Sequence, residues 1–273
     1  MPLTHRFQVG AFACVIIQDG HGEPNEEFYQ RILYQVDVAA LHAAFSQRPQ
    51  PTRTSMNLLL IQTGTQTILI DTGNGPARPG TLPEGLAELG MRPEQIDLIF
   101  LTHFHGDHIN GLLDAAGAPY LPNARIVTNR AEWEGWMSDA ARERIGEGWE
   151  ARFKPLLALR ERIHFIEAGD EIASGVRTVA AYGHTPGHTG LLLESQGEKL
   201  LHLVDSIHYG LQLGHPDWSL TFDSDPVQAA ENRRARLGEA ADQDLRLLLY
   251  HFEFPGLGRV QRLGDGFAWT PEA

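Results

Sequence analysis

The chain has 273 residues and a formal net charge of −13, from 22 basic and 35 acidic side chains. Its 42% hydrophobic and 21% charged content is that of an ordinary globular protein able to bury a sizeable core. The acidic balance excludes nucleic acid as the main partner, since phosphate binding needs clustered Lys and Arg, and a single cysteine, Cys14, excludes an intrachain disulfide.

The lone cysteine fits a reducing compartment, so a cytoplasmic location is expected. The apolar run 9–17 is too short to span a bilayer and has little basic sequence before it, so neither a membrane span nor a signal peptide is expected. It is read as part of a buried first strand, "FQVGAFACVII", with Cys14 as inert core. Residues 20–55 hold a helical patch, "VDVAALHAAF", and a Pro-rich connector, "RPQPTRT". "SMNLLLIQTG" and "TQTILIDTG" read as a hairpin whose second strand ends at Asp71. A Gly/Pro loop and a short helix in "LPEGLAELG" follow.

"IDLIFLTH" is the short continuous apolar run of a strand buried on both faces. After it, "INGLLDAAG" reads as helix, "ARIVTN" as strand, and residues 130–161 as helices carrying Trp133, Trp136 and Trp149. "RTVAAYG", "TGLLLESQG" and "EKLLHLVDS" read as three consecutive strands. "DPVQAAENRRARLGEAA" is an amphipathic helix capped by Ser224 or Asp225, and "LRLLLYHF" is the last core strand. This order predicts an α/β protein with helices covering a layered sheet. No linker divides residues 1–273, so a single domain is expected.

The chemistry concentrates where "IDLIFLTH" ends. "HFHGDH" places His103, His105, Asp107 and His108 within six residues. Merely buried, they would carry a heavy desolvation cost; as ligands of Zn²⁺ or similar ions they are natural. His103 and His105 can serve one ion, while Asp107 and His108 turn towards a second. Four ligands do not fill two sites, so others must come from downstream, where His184, His188, His202, Asp205, His208 and His251 are the candidates.

"THFHGDH" resembles the H-x-H-x-D-H signature of the metallo-β-lactamase superfamily, and "ILIDTG", "GHTPGHT", Asp205 and His251 follow in that family's order. The resemblance implies a four-layer αββα sandwich with two divalent metal ions at one edge. Zn²⁺ is the first expectation, and Mn²⁺, Fe²⁺ or Co²⁺ accept the same donors. It implies one ion on His103, His105 and His188, a second on Asp107, His108 and His251, and Asp205 bridging. His184 would be structural, and Asp71 would support a metal-bound imidazole. A bridging aspartate argues against antibiotic hydrolysis.

The last third, with "DSIH" and "YHFEFPGLGRV", looks like the methyl parathion hydrolase branch, which includes lactonases and arylesterases. The related acyl-homoserine lactonases carry tyrosine where this chain has His208, so His208 becomes a candidate substrate-contacting group or proton donor. Asp107 is a candidate proton relay. Two ions ~3.5–4 Å apart can share a hydroxide that attacks the substrate. Phe104, Phe222, Trp218 and the three helical tryptophans suggest a neutral, hydrophobic lactone, aryl ester or phosphotriester. Two other activities share parts of the motif. A glyoxalase II-like thioester hydrolase would carry a basic C-terminal helical domain, and an iron-dependent persulfide dioxygenase would use a single metal. A homodimer is implied by related enzymes, with residues 20–55 as the candidate interface.

Overall fold

A computed structural model describes residues 2–47, 53–76 and 78–272. Two seven-stranded mixed sheets face each other. The first runs in chain order: β1 (Thr4–Val9), β2 (Phe12–Gly22), β3 (Thr54–Gln62), β4 (Thr67–Ile70), β5 (Leu98–Leu101), β6 (Arg125–Asn129) and β7 (Ile163–Ile166). Its first four strands are antiparallel neighbours, and β4 to β7 are parallel. The second holds β8 (Glu171–Ala173), β9 (Val176–Ala180), β10 (Thr189–Ser195), β11 (Glu198–Val204), β12 (Arg246–Leu249), β13 (Leu257–Leu263) and β14 (Gly266–Pro271). Here only β11 and β12 pair in parallel.

Strand periodicity explains the layering. In β3, Leu59 and Ile61 face the second sheet, while Leu58 and Leu60 face helices. In β5, Leu98 and Phe100 take the inner face, and Ile99 and Leu101 the outer. Runs of this kind have no polar face to expose, which is why "IDLIFLTH" reads as a doubly covered strand. The helices are α1 (Glu26–Ile32), α2 (Val38–Gln47), α3 (Leu82–Glu88), α4 (Gly106–Ile109), α5 (Arg130–Met137), α6 (Asp139–Ile145), α7 (Gly148–Ala158), α8 (Leu211–Gly214) and α9 (Pro226–Asp242). Residues of α3, α5 and α7 cover the outer face of the first sheet, and α9 covers that of the second, which completes the expected αββα order. Helices α1 and α2 join a separate apolar cluster with Leu211 and Leu220.

Several expectations are corrected. "FQVGAFACVII" is two strands, because Gly10 turns the chain with φ +55°. "INGLLDAAG" is barely helical: α4 stops at Ile109, a single 3₁₀ turn follows, and Asp114 then closes a turn by accepting from the Ala116 and Ala118 amides. β12 is not the last strand; β13 and β14 extend the sheet around a Gly264–Asp265 turn. The helix "DPVQAAENRRARLGEAA" is present, and Asp225 is its cap, accepting from the Gln228 amide. Cys14 is buried between the sheets, and burial raises its thiol pKa to about 12. In the connector "RPQPTRT", residues 48–52 lie outside the described residues. Among the described residues, no helix is long and apolar enough to cross a membrane.

Candidate metal centre

The site forms where strands of both sheets end. Asp71 follows β4, His103 to His108 follow β5, Asp205 follows β11, and His251 lies just beyond β12. His184 and His188 come from the loop between β9 and β10. This is the carboxyl edge of the parallel strands, where α/β folds collect their ligands. Two non-glycine residues there have left-handed backbone, Asp71 (φ +60°) and Val204 (φ +48°). For a β-branched residue such as Val204, that conformation costs ~1–3 kcal/mol. The β11–β12 register shifts between His202 and Val204, and the chain then aims Asp205 into the site.

One carboxylate oxygen, Asp205 Oδ2, is the focus. The Nε2 atoms of His208, His251, His108, His184 and His103 lie 2.9, 3.2, 3.4, 3.4 and 3.6 Å from it. The partners of the opposite ring nitrogens show what these atoms are. His108 Nδ1 donates to Asp71 at 2.7 Å. Thr102 Oγ1 donates to Asp71 at 2.8 Å and accepts from His103 Nδ1 at 3.1 Å. His184 Nδ1 donates to Asp223 at 2.7 Å. When neutral, His103, His108 and His184 therefore carry their lone pairs on Nε2, pointed at an anionic oxygen. Burial opposes charge on His108 and His184, but the carboxylates around them raise both towards the charged form. His103 Nε2, His108 Nε2 and Asp205 Oδ1 are buried without a hydrogen-bond partner. Protons on His108 and His184 relieve this in part, and divalent ions placed among these atoms would relieve it fully, so the donor set fits metal ions.

The ligand atoms fall into overlapping groups: His103, His105, His184 and Asp205; Asp107, His108 and His251; and Asp205, His208 and His251. Within each group, the atoms lie within 4.8 Å of one another. His188 is absent from all three, which corrects its expected place. Its Nδ1 donates to the Ala181 carbonyl at 2.8 Å, and its Nε2 accepts from the Asp205 amide at 3.2 Å. With both nitrogens used by the backbone, His188 has none left for an ion. His184 occupies the expected position of His188. The spacing in "GHTPGHTG" allows either ring, and only the backbone path decides. His103, His105, Asp107, His108, Asp205 and His251 are all brought together in these groups. His202 stays outside, buried with Nδ1 donating to the Leu248 carbonyl.

Electrostatics follow from burial and crowding. Burial holds His103 and His105 well below the usual imidazole range. Burial also lowers His208, to about 4, although Asp205 opposes it. Burial lowers His184 too, but its hydrogen bonds to Asp205 and Asp223 outweigh this and bring it to about 9. Burial pushes Asp205 up, and the imidazoles around it, His251 first, hold it well below the carboxylate range.

Two carboxylates that the sequence reading missed brace the loops. Glu132, fully buried at the start of α5, accepts from the Phe104 amide, Trp136 Nε1, Thr185 Oγ1 and the Gly187 amide at 2.7–2.8 Å. It ties the "HFHGDH" loop to the His184–His188 loop. Gly187 is required there, since a Cβ would stand 2.1 Å from the Glu132 amide nitrogen. Asp223 holds His184 and also accepts from the Leu220 amide, with the buried Arg233 guanidinium 3.8 Å away. Neither acid has a sequence signal beyond its own identity. Of the candidate wall aromatics, Phe222 faces the rings of His105, His184 and His208 at 5.4–6.1 Å, and Trp136 lies 6.1 Å from His105. Phe104 and Trp149 are core, and Trp218 stacks on His215.

A family model for the metallo-beta-lactamase superfamily matches residues 52–251. The chain belongs to that superfamily. Similar sequences include a probable metallo-hydrolase of Mycobacterium tuberculosis, 28% identical over 56% of this chain and 57% of its own length. An N-acyl homoserine lactonase of Bacillus cereus is 29% identical over 55% of this chain and 62% of its own. The match thus spans less than two thirds of either relative. Among solved structures, the dizinc quorum-quenching lactonase AidC, in complex with the product N-hexanoyl-L-homoserine, is similar over 100% of this chain and 99% of its own. Its TM-score is 0.89 at 29% identity. The hydrolase AbOPH superposes with a TM-score of 0.86 at 24% identity, covering 100% of this chain and 98% of its own, which speaks for the shared fold.

Proposed function

We propose that this metallo-β-lactamase-fold protein is a dinuclear metal-dependent hydrolase that opens lactones or aryl esters. The observation carrying this reading is the convergence of five imidazole nitrogens on Asp205 Oδ2, with His103 and His108 fixed in the tautomer that leaves Nε2 free. In this assignment His103, His105 and His184 hold one ion, Asp107, His108 and His251 hold the other, and Asp205 serves both. Two divalent ions so held would lower the pKa of a water and polarise the scissile carbonyl.

The remaining work belongs to the side chains. Asp107, a quarter exposed beside His108 and His251, would accept the proton released by the attacking water and return it to the leaving oxygen. His208 stacks on His251 at 4.8 Å with its Nε2 on Asp205 and its Nδ1 unpartnered. Burial lowers its pKa to about 4, and a neutral ring that donates Nε2–H to Asp205 leaves Nδ1 as an acceptor beside the centre, placed to orient a donating group of the substrate. Phe222 supplies an apolar lip. The likeness to lactonases supports this reading over thioester hydrolysis or persulfide oxidation. We place the chain near the methyl parathion hydrolase-like enzymes, with phosphotriester turnover as a side activity. The deciding experiment compares dihydrocoumarin with a paraoxon-type phosphotriester on zinc- or manganese-loaded protein. A kcat/KM for the lactone larger by about a hundredfold or more is expected; equal or better phosphotriester turnover would rename the enzyme.

A further inference from the structure

Beside the metal centre, two arginines converge on one ring. The guanidinium carbons of Arg144 in α6 and Arg152 in α7 stand 5.5 and 4.7 Å from the centroid of the Trp136 indole. That indole is all but buried, donates its N–H to Glu132, and lies 6.1 Å from the His105 ring. Among the described residues, neither guanidinium has an ion-pair partner or a hydrogen bond. Glu132 bears on Arg152, but four other donors already fill its two oxygens.

Among the described residues, Trp136 is the ring that gathers two guanidinium groups with no ion pair on either. With 35 acidic residues to 22 basic, counter-charges are plentiful. Arg142 on Trp149 and Arg160 on Trp133 also stack without an acid among the described residues, but where two guanidinium groups meet one ring elsewhere, Arg130 and Arg160 at Phe165, Arg130 is paired with Glu167. Bringing two cations to one indole, with only the already occupied Glu132 carboxylate near Arg152, costs repulsion that stacking, ~0.5–1 kcal/mol per contact, does little more than offset. The arrangement also falls on the exposed side of the site, since His105, Gly106 and Asp107 are the partly exposed members of the motif. The Arg152 charge reaches His105 from there. A fixed positive field at the mouth of a site selects for an anion.

We propose that Arg144 and Arg152 form a carboxylate-binding subsite beside His105, and that the substrate is an ester or lactone bearing a carboxylate remote from the bond that is cleaved. This rests on the hydrolase reading and replaces the expectation of a neutral substrate. A guanidinium fork matches the two oxygens of a carboxylate, and contact with the Trp136 ring restricts both forks. Trp136 and Glu132 position the arginines; they do not touch the substrate.

The test compares para-nitrophenyl hydrogen adipate with its methyl ester on zinc-loaded protein, with kcat and KM measured separately. The acid should have a KM about tenfold or more below that of the methyl ester. R144Q and R152Q should each raise KM for the acid about tenfold, with kcat little changed and the methyl ester within about twofold. R152K, which keeps the charge, should retain most of the preference. Equal KM values for the two esters in the parent protein, or an equal rise for both in the variants, would overturn the subsite. If neither ester is cleaved, the hydrolase reading fails separately. Calorimetric titration of adipate then decides: binding lost in R144Q and R152Q supports the subsite, and binding unchanged in them overturns it.

Discussion

The two proposed ligand groups are built alike but held differently. His103, His105 and His184 are anchored from several directions, by Thr102, by Asp223 and by the Glu132 brace between their loops. Asp107, His108 and His251 have fewer supports: Asp71 on His108, and the Tyr250 hydroxyl donating to the Asp107 carbonyl. The side chain of Asp107 is 25% exposed and that of His251 10%, with His108 fully buried; His103 and His184 are at most 1% exposed, with His105 partly exposed. A ligand fixed by several hydrogen bonds loses less freedom on binding, so the first group should hold its ion more tightly. The second should exchange more readily and set which metal is found there.

The strongest way to break this comparison is to remove what both groups share. Asp205→Asn should lower kcat/KM about a thousandfold or more and reduce bound metal from two equivalents towards one, measured by elemental analysis. Chelation of the parent protein should abolish hydrolysis, and added Zn²⁺ should restore it. Undiminished activity in either case would remove the metal-dependent reading altogether.

Next in size is the pair of histidines in "GHTPGHTG". His184→Ala should lose the better-held ion and about a hundredfold or more in kcat/KM. His188→Ala should keep both ions and instead lose about 1–3 kcal/mol of stability, because it leaves the Asp205 amide and the Ala181 carbonyl unpaired. The opposite pattern would reinstate His188 as the ligand.

The supports separate the groups further. Asp223→Asn should weaken the first ion about 10–100-fold, and Asp71→Asn the second by a similar factor, read by competition with a coloured chelator. If both variants weaken the same ion, the two groups are not independent.

The smallest effect is a pH dependence outside the ligand set. Burial lowers His202 to about 4. Below about pH 6.5 the unfolded chain binds a proton there that the folded one does not, so stability falls as pH drops towards 4. The slope reaches at most ~1.4 kcal/mol per pH unit. His202→Gln should show a shallower decline than the parent between pH 6.5 and 4 in denaturant titrations, and an identical slope would exclude His202 as its source.

How much of this the sequence announced depended on whether the signal was local. "HFHGDH" is dense enough to identify ligands without a fold, and "IDLIFLTH" shows from its own composition that it is covered on both faces. Asp71, legible as a support, does contact His108. His184 and His188 could not be told apart, because the choice depends on where the Ala181 carbonyl and the Asp205 amide lie, and Asp205 is 17 residues beyond His188. Glu132 and Asp223 are 28 and 39 residues from the groups they hold, and no spacing rule links them. The final hairpin was missed although "GDG" is a recognisable turn, since the apolar alternation of its strands is interrupted by Arg259 and Arg262.

Each ligand group draws on both sheets. The first sheet is complete by Ile166, the second begins at Glu171, and the loop between them is short and largely exposed. A chain cut within residues 167–170 would leave His103, His105, Asp107 and His108 on one fragment and His184, Asp205 and His251 on the other. Neither fragment could then complete either group. Hydrolysis would report reassembly of the two halves, and metal concentration would control how tightly they associate.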